Sequence, residues 1–433
     1  MSALTSSSAG QRLWAPITYI IGSSVLLVLY SSAYRPIWFD EMVTFTIGGL
    51  SNFGAVVDQL VQTATNLNQG TTGIYWMAEY GSLSLFGASW WSMRLPSLLA
   101  AGWALIALYV FLRAKSIHPV VLATTPVFAI GYPTLWFYAG EARTYMPLVA
   151  GVLGALAYYS LAEDRRRTGF GRALGWGSIL VGVLFHPYFL LYWPVIVTFG
   201  AWSQAQAERE PLTLRAIWRR ANPALVVTGV TTGALLAGAT WLRGNIEQSV
   251  PWNEWLGSPL PLEILTSLFW PFLQSGWPGL IAALLLMVLV ITTRSARSGN
   301  SPIAPVVLIG LAVALALIVS GASILADFWI FPRQWIASQA LVLAALPWLA
   351  STVLTTEQPG KKIRRVTLSV SILILAPAVI STAMWKASQL RDWRTAWSTS
   401  PFSELSESRL VRILDEGAFP SNRVWMEFSQ ANL

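Results

Sequence analysis

The chain has 433 residues, 55% hydrophobic and only 11% charged, with a formal net charge of +8 and no cysteine. So few charges cannot cover the surface of a water-soluble protein of this length, and the missing thiols exclude disulfides and thiolate metal sites. The basic residues fall between apolar runs, which favours membrane lipids over nucleic acid as the partner of the positive charge.

Apolar runs of the length that crosses a bilayer recur along the sequence. They predict spans near 16–34, 93–112, 118–134, 146–162, 173–186, 187–202, 223–241, 277–293, 303–325, 334–353 and 366–385. The expected fold is therefore an all-α polytopic membrane protein of about 11 transmembrane helices. Residues 1–385 read as one transmembrane domain and 386–433 as a short extracytoplasmic tail. The first apolar run continues into a full span, so it reads as a retained helix and not as a cleaved signal.

Lysines and arginines set the orientation. With a cytoplasmic N-terminus, most fall on the cytoplasmic side, in the segments around 113–115, 165–172, 209–220, 294–297 and 361–365. Most carboxylates then fall outside, and an odd number of spans places the C-terminus outside as well. A bacterial plasma (inner) membrane is the expected location.

Two external segments are long. In the first, 35–92, Phe53, Val56, Val57, Leu60 and Val61 recur with helical period, and Ile74-Tyr75-Trp76-Met77 follows. Both predict helices lying along the interface, with aromatic rings at headgroup depth. The second, 242–276, carries Trp252, Trp255 and Trp270 among several prolines.

The charges with chemical potential sit at span ends on the external side. Asp40 and Glu41 are adjacent, so their side chains diverge and suit different roles: one takes a proton, the other orients a ligand, a metal or a basic partner. A solvated helix cap is the competing reading. Glu141, Arg143 and Tyr145 precede the span that opens at Met146-Pro147. A helix start beside an arginine suits a phosphate, whereas a Glu–Arg pair that only anchors the helix accounts for the same residues. His186 and Tyr188 lie at the external tip of a tight hairpin. His186 is read as a ligand for a metal, a phosphate or a sugar hydroxyl, against a hydrogen-bonded packing histidine. Arg333 opens a later external span, where it holds a phosphate or snorkels to headgroups.

These residues come from separated loops yet map to one face, and at that point the chain resembles the GT-C superfamily of polytopic glycosyltransferases. It is most similar to the protein O-mannosyltransferase and aminoarabinose transferase branch. The resemblance is carried by WFDEMVTF at 38–45, RLPSLLAG at 94–102 apart from one extra alanine, GEARTYMPL at 140–148, FHPYF at 185–189 and FPRQW at 331–335. It implies an enzyme using a polyprenyl-phosphate sugar as donor and a glycan, lipid or protein hydroxyl as acceptor, with inversion at the external face. It makes Asp40 the general base and gives Glu41 a part in placing substrate or metal. Arg143 and Arg333 become donor-phosphate ligands, and Glu141, Tyr145, His186 and Tyr188 become pocket residues. A divalent metal stays open, with Glu41 and His186 as its candidate ligands. The alternative class is a transporter or flippase of a lipid-linked or anionic solute, which predicts intramembrane charges and inverted repeats that the sequence does not display. A silent bundle that binds a partner through 242–276 is the third.

Overall fold

The computed structural model describes residues 9–31, 41, 44, 47–63, 74–87, 89–186, 188–208, 211, 213–243, 268–269, 303–325, 335–355 and 384. The secondary structure among them is helical throughout. In chain order the α-helices of five or more residues are α1 (Ala9–Tyr30), α2 (Phe53–Thr63), α3 (Ile74–Phe86), α4 (Trp90–Ala114), α5 (Pro119–Ala129), α6 (Pro133–Phe137), α7 (Tyr145–Ser160), α8 (Gly169–Phe185), α9 (Phe189–Glu208), α10 (Leu214–Ala221), α11 (Pro223–Arg243), α12 (Ile303–Leu325) and α13 (Ile336–Thr355). The expected spans near 277–293 and 366–385 lie outside the described residues, apart from Met384. So does the expected tail, 386–433.

Helix α7 is the hub. Every residue from Tyr145 to Ser160 is buried, and α4, α8, α9 and α13 pack around it. Small residues make this possible. A Cβ on Gly151 would come within 2.6 Å of the Gly182 Cα, so α7 and α8 touch backbone to backbone. Beside that seam the Trp103 indole of α4 donates to Ser178 Oγ of α8 at 3.0 Å. Helix α1 is held to its neighbours by two buried tyrosines, Tyr19 donating to the Leu105 carbonyl at 2.8 Å and Tyr30 to the Ile130 carbonyl at 3.0 Å. At the far end of α4, Lys115 donates to Ser203 on α9 at 3.0 Å and lies 4.8 Å over the Trp348 ring of α13.

Part of the outer surface of the described residues is apolar. On α1, Ile17, Ile20, Ile21, Val25 and Val28 are all exposed, spaced so that they form one stripe. Leu99 and Ile106 on α4 and Ile318 on α12 are exposed in the same way. A stripe of aliphatic residues facing outward fits lipid and not water.

Helices occupy every expected span inside the described residues, but only two, in α4 (Trp91–Ala114) and α12 (Ile303–Gly321), are long and apolar enough by themselves to cross a membrane. The expectation of about eleven full spans is corrected to that extent. Helices α5, α7 and α8 run for only 11, 16 and 17 residues, against the roughly 20 that a crossing needs. The run at 118–134 shows the reason most clearly. Helix α5 stops at Ala129, and the chain turns through Gly131 and Tyr132 before Pro133 opens α6. Proline disfavours helical geometry in the residue before it, so the break is local chemistry hidden inside a continuous apolar run.

The expected helices of the first external segment are present as α2 and α3. Asn52 starts α2, its Oδ1 accepting the Ala55 N–H at 2.8 Å. Helix α3 does more than lie along an interface. It buries Tyr75, Trp76, Glu79, Ser82 and Leu83, and packs on α4.

Candidate functional site

Helix α4 begins with a capping box. Ser89 Oγ accepts the Ser92 N–H at 3.1 Å, and Ser92 Oγ accepts the Ser89 N–H at 2.9 Å. This fixes the start of the helix and with it the position of Arg94. Arg94 is 1% exposed and its partner Glu41 is 0% exposed. Nε donates to Glu41 Oε1 and Nη2 to Oε2, both at 2.9 Å. This is the bidentate fork geometry that makes arginine–carboxylate pairs strong and directional.

Glu41 has a further partner. Its Oε1 also accepts the Ala142 backbone N–H at 2.9 Å. One carboxylate thus joins its own segment, the first turns of α4 and the turn at 141–144. That turn is held from a second side, because Ser97 Oγ donates to the Arg143 carbonyl at 3.1 Å and pairs with the Tyr75 hydroxyl at 2.8 Å. Within the turn the Arg143 N–H donates to the Glu141 carbonyl at 2.8 Å. Gly140 is required just before it, since a Cβ there would overlap the Tyr30 carbonyl oxygen.

His186 follows the last residue of α8 and lies in the connection to α9, as the hairpin pattern predicts. It is buried, and its backbone N–H donates to the Gly182 carbonyl at 3.1 Å. Its ring lies 5.5 Å from the Tyr145 ring and 4.9 Å from the Tyr188 ring, centroid to centroid. Nδ1 faces the Tyr188 N–H at 3.3 Å, which leaves Nε2 as the N–H donor of a neutral ring. Burial, reinforced by the Arg143 charge, pushes the imidazole down to about 3. A neutral Nε2–H donor can bind a phosphate or hydroxyl oxygen, but it cannot deliver a proton as a general acid at neutral pH.

The structure therefore brings together Glu41, Glu141, Arg143, Tyr145, His186 and Tyr188. Glu141 and Arg143 are 1% and 3% exposed. Asp40 and Arg333 lie outside the described residues. Among the described residues no group of three or more histidine or acidic side chains is placed to hold a metal. Of the two metal candidates, Glu41 already spends its carboxylate on Arg94 and Ala142, so the donors among the described residues do not fit a metal.

Sequence reasoning missed the roles of Arg94, Ser97 and Glu79. In the sequence Arg94 is only the first residue of the motif at 94–102. Glu79 is a lone carboxylate in the apolar stretch IYWMAEYGSLSLF, and that contrast was its only signal.

No protein-family model matches the chain, and no curated protein does. Two solved structures are similar to it: ArnT from Cupriavidus metallidurans in the apo state, and ArnT from the same organism bound to undecaprenyl phosphate. They are 14% and 13% identical to this chain, each at a TM-score of 0.49. The matches cover 91% and 92% of this chain and 76% and 77% of those.

Proposed function

We propose that the chain is a GT-C-type membrane glycosyltransferase that moves a sugar from a polyprenyl phosphate to an acceptor hydroxyl at the extracytoplasmic face. The observation that carries this reading is the buried joint of Glu41, Arg94 and the Ala142 N–H. It ties the residue next to Asp40 to the residue next to Arg143. A base and an anion ligand held in one rigid unit are what an in-line displacement on a sugar phosphate requires. The motif resemblance at 38–45 and 140–148 is the second support.

In this reading Asp40 takes the proton of the acceptor hydroxyl as its oxygen attacks the anomeric carbon. The new carbon–oxygen bond forms while the bond to the phosphate oxygen breaks. Polyprenyl phosphate leaves with the electron pair, and the anomeric carbon inverts. Arg143 and Arg333 stabilise the charge that develops on the leaving phosphate, an effect realised mainly in the transition state. His186 offers its Nε2–H to a donor oxygen, and Glu141, Tyr145 and Tyr188 line the same pocket. Glu41, expected from the sequence among the residues of the chemistry, acts as a positioning residue through its hold on Arg94 and Ala142. The cytoplasmic N-terminus and extracytoplasmic active site belong to the same proposal.

The test starts with mass spectrometry of the lipid that co-purifies with the protein, followed by an assay with that lipid as sugar donor. Asp40→Asn is expected to abolish transfer while keeping expression and donor binding. Near-normal turnover by that variant removes Asp40 as the base. Gradient-dependent uptake of a lipid-linked solute in vesicles, with no donor consumed in detergent, overturns the enzyme in favour of a transporter.

A further inference from the structure

Helix α10 takes no part in the candidate site and lies at the other end of the bundle. Helix α9 starts at Phe189, three residues after His186, and runs for 20 residues to Glu208, about 30 Å of rise. Helix α10 follows that far end and packs against α9 and α11. It has eight residues, about 12 Å of helix, and is too short to cross a bilayer.

Its sequence, LRAIWRRA, sorts into rows of residues four apart, which stack along a helix surface. Ile217 and Ala221 form the row against the bundle, Ile217 packed on the core and Ala221 buried. Leu214 and Trp218 form the neighbouring row, and they stay outside the bundle at 85% and 53% exposure. Arg215 and Arg219 form the row beyond, and both are exposed. Around the helix the order is thus bundle, exposed apolar, exposed basic. The sequence from Pro211 to Asn222 holds no carboxylate.

The bundle fixes the helix in this attitude. The Tyr159 hydroxyl, on α7, donates to the Ala221 carbonyl at 3.1 Å and accepts the Trp193 indole N–H at 3.3 Å. Asn222 turns the chain into α11 with φ at 58°, a left-handed conformation in which asparagine is enriched. Its Nδ2 donates to the Tyr158 hydroxyl at 3.1 Å. Leucine and tryptophan are therefore held outside the core by the fold itself, beside two arginines.

That row order suits the edge of a bilayer. Leucine and tryptophan fit the acyl boundary, and arginines beside them fit the phosphates just above it. The apolar stripe of α1 already marks the side of the bundle as facing lipid. The charge at this end has the matching sign. Arg113, Arg165 and Arg172 are exposed there too. Among the described residues its exposed carboxylates are Asp164, Glu208 and Glu163, and Glu163 is paired with Arg167.

We infer that α10 is a docking surface for the anionic phospholipid headgroups of the leaflet opposite the candidate site. Leu214 and Trp218 sit in the acyl boundary, and Arg215 and Arg219 meet the phosphates. The inference is independent of the donor reading, whose residues lie at the other end of the bundle.

The experiment uses the full chain in nanodiscs of phosphatidylcholine and phosphatidylglycerol. The sequence has no cysteine, so Leu214→Cys carries a single apolar fluorophore in place of the leucine. Quenching by phosphatidylcholine with a nitroxide at carbon 5 of its acyl chain reads whether the row is in the bilayer. The same nitroxide on phosphatidylglycerol reads the local enrichment of the anionic lipid. Strong quenching by both lipids is expected, with phosphatidylglycerol enriched by about fivefold for each arginine that meets a phosphate. Adding Arg215→Gln and Arg219→Gln should remove the enrichment, whereas Arg215→Lys with Arg219→Lys, which keeps the charge, should preserve it. Arg167→Gln, at the same end but paired with Glu163, should leave it unchanged. No quenching by either lipid overturns the inference and gives the flank to a protein partner. Equal quenching by the two lipids, or enrichment that survives loss of both arginines, overturns it as well.

Discussion

The joint of Glu41 and Arg94 makes a sharp energetic prediction. Arg94→Met removes a guanidinium that makes two hydrogen bonds of 2.9 Å to a carboxylate, with both residues at 1% exposure or less. The Ala142 N–H then remains as a donor to a charge that water does not reach. Removing one partner of such a buried pair costs about 3–5 kcal/mol. Two charge-assisted hydrogen bonds, at about 1.5–3 kcal/mol each, give the same range from the other direction. Arg94→Lys keeps the charge but not the fork, and is expected to lose about half as much, roughly 2 kcal/mol. Glu41→Gln combined with Arg94→Met leaves no unpaired charge and is expected to be less damaging than the sum of the two single changes, by up to about 3 kcal/mol. The assay is denaturation in mixed micelles across the double-mutant cycle. In parallel, anion binding at the site follows whether the 141–144 turn has moved. If Arg94→Met unfolds within about 0.5 kcal/mol of wild type, or if the cycle shows no coupling, the joint is not the clamp described here.

Three further outcomes follow from the geometry. Gly151→Ala puts a methyl group within 2.6 Å of the Gly182 Cα and 2.9 Å of its N, and should cost about 1–3 kcal/mol or more; Gly102→Ala, with nothing within 4 Å, should be neutral or stabilise by up to about 1 kcal/mol, both read by denaturation. His186 is held neutral with its value down at about 3, so the native state binds fewer protons than the unfolded chain between there and about 6.5. Stability is therefore lost as pH falls through that window, about 2 kcal/mol of it at pH 5, and His186→Asn should remove that component from the pH profile of unfolding. Glu79 has the opposite sign: its raised carboxyl contributes stability below about pH 4.5 that is lost as pH rises toward the folded value. Glu79→Gln should therefore gain stability over wild type on going from acid to neutral pH, as measured by thermal melting at a series of pH values.

What could be read in the sequence divides by range. Helix positions were legible, because apolar runs and period-3.6 stripes are local. The gathering of Glu141, Arg143 and His186 was also legible, since span order alone sends their loops to one face. Helix lengths were less so: the break at 129–133 is set by Gly131 and Pro133, which an average over the run conceals. The joint was not legible. Glu41 and Arg94 are 53 positions apart and Glu41 and Ala142 are 101 apart, and no local pattern pairs them. Arg94 enters the sequence reading only as the first residue of the motif at 94–102. Glu79 carries no local signal beyond being a lone carboxylate in an apolar stretch. Only its seat against Gly48, from an element far away in sequence, makes it unusual.

The arrangement of the two apolar clusters explains why the joint is polar. The larger cluster is the bundle itself, centred on α7. The smaller one is built of Ile47, Val56, Tyr75, Trp76, Leu83, Met93 and Ala142, most of them from the first external segment. Apolar contact alone would let this segment settle against the bundle in several registers, because burial is proportional to area and not to direction. Among the described residues, the links that cross from the segment to the bundle with directional geometry include Glu41 to Arg94, Glu41 to the Ala142 N–H, and Tyr75 through Ser97 to the Arg143 carbonyl. Each is satisfied in one register only. The cost of burying an ion pair is thus matched by a gain in specificity, which is the best-attested use of such pairs. A substitution that keeps the apolar area but breaks these links, such as Arg94→Met, should leave the helices formed while loosening the position of Arg143. The loss of anion affinity in that variant should then exceed any loss of helix content.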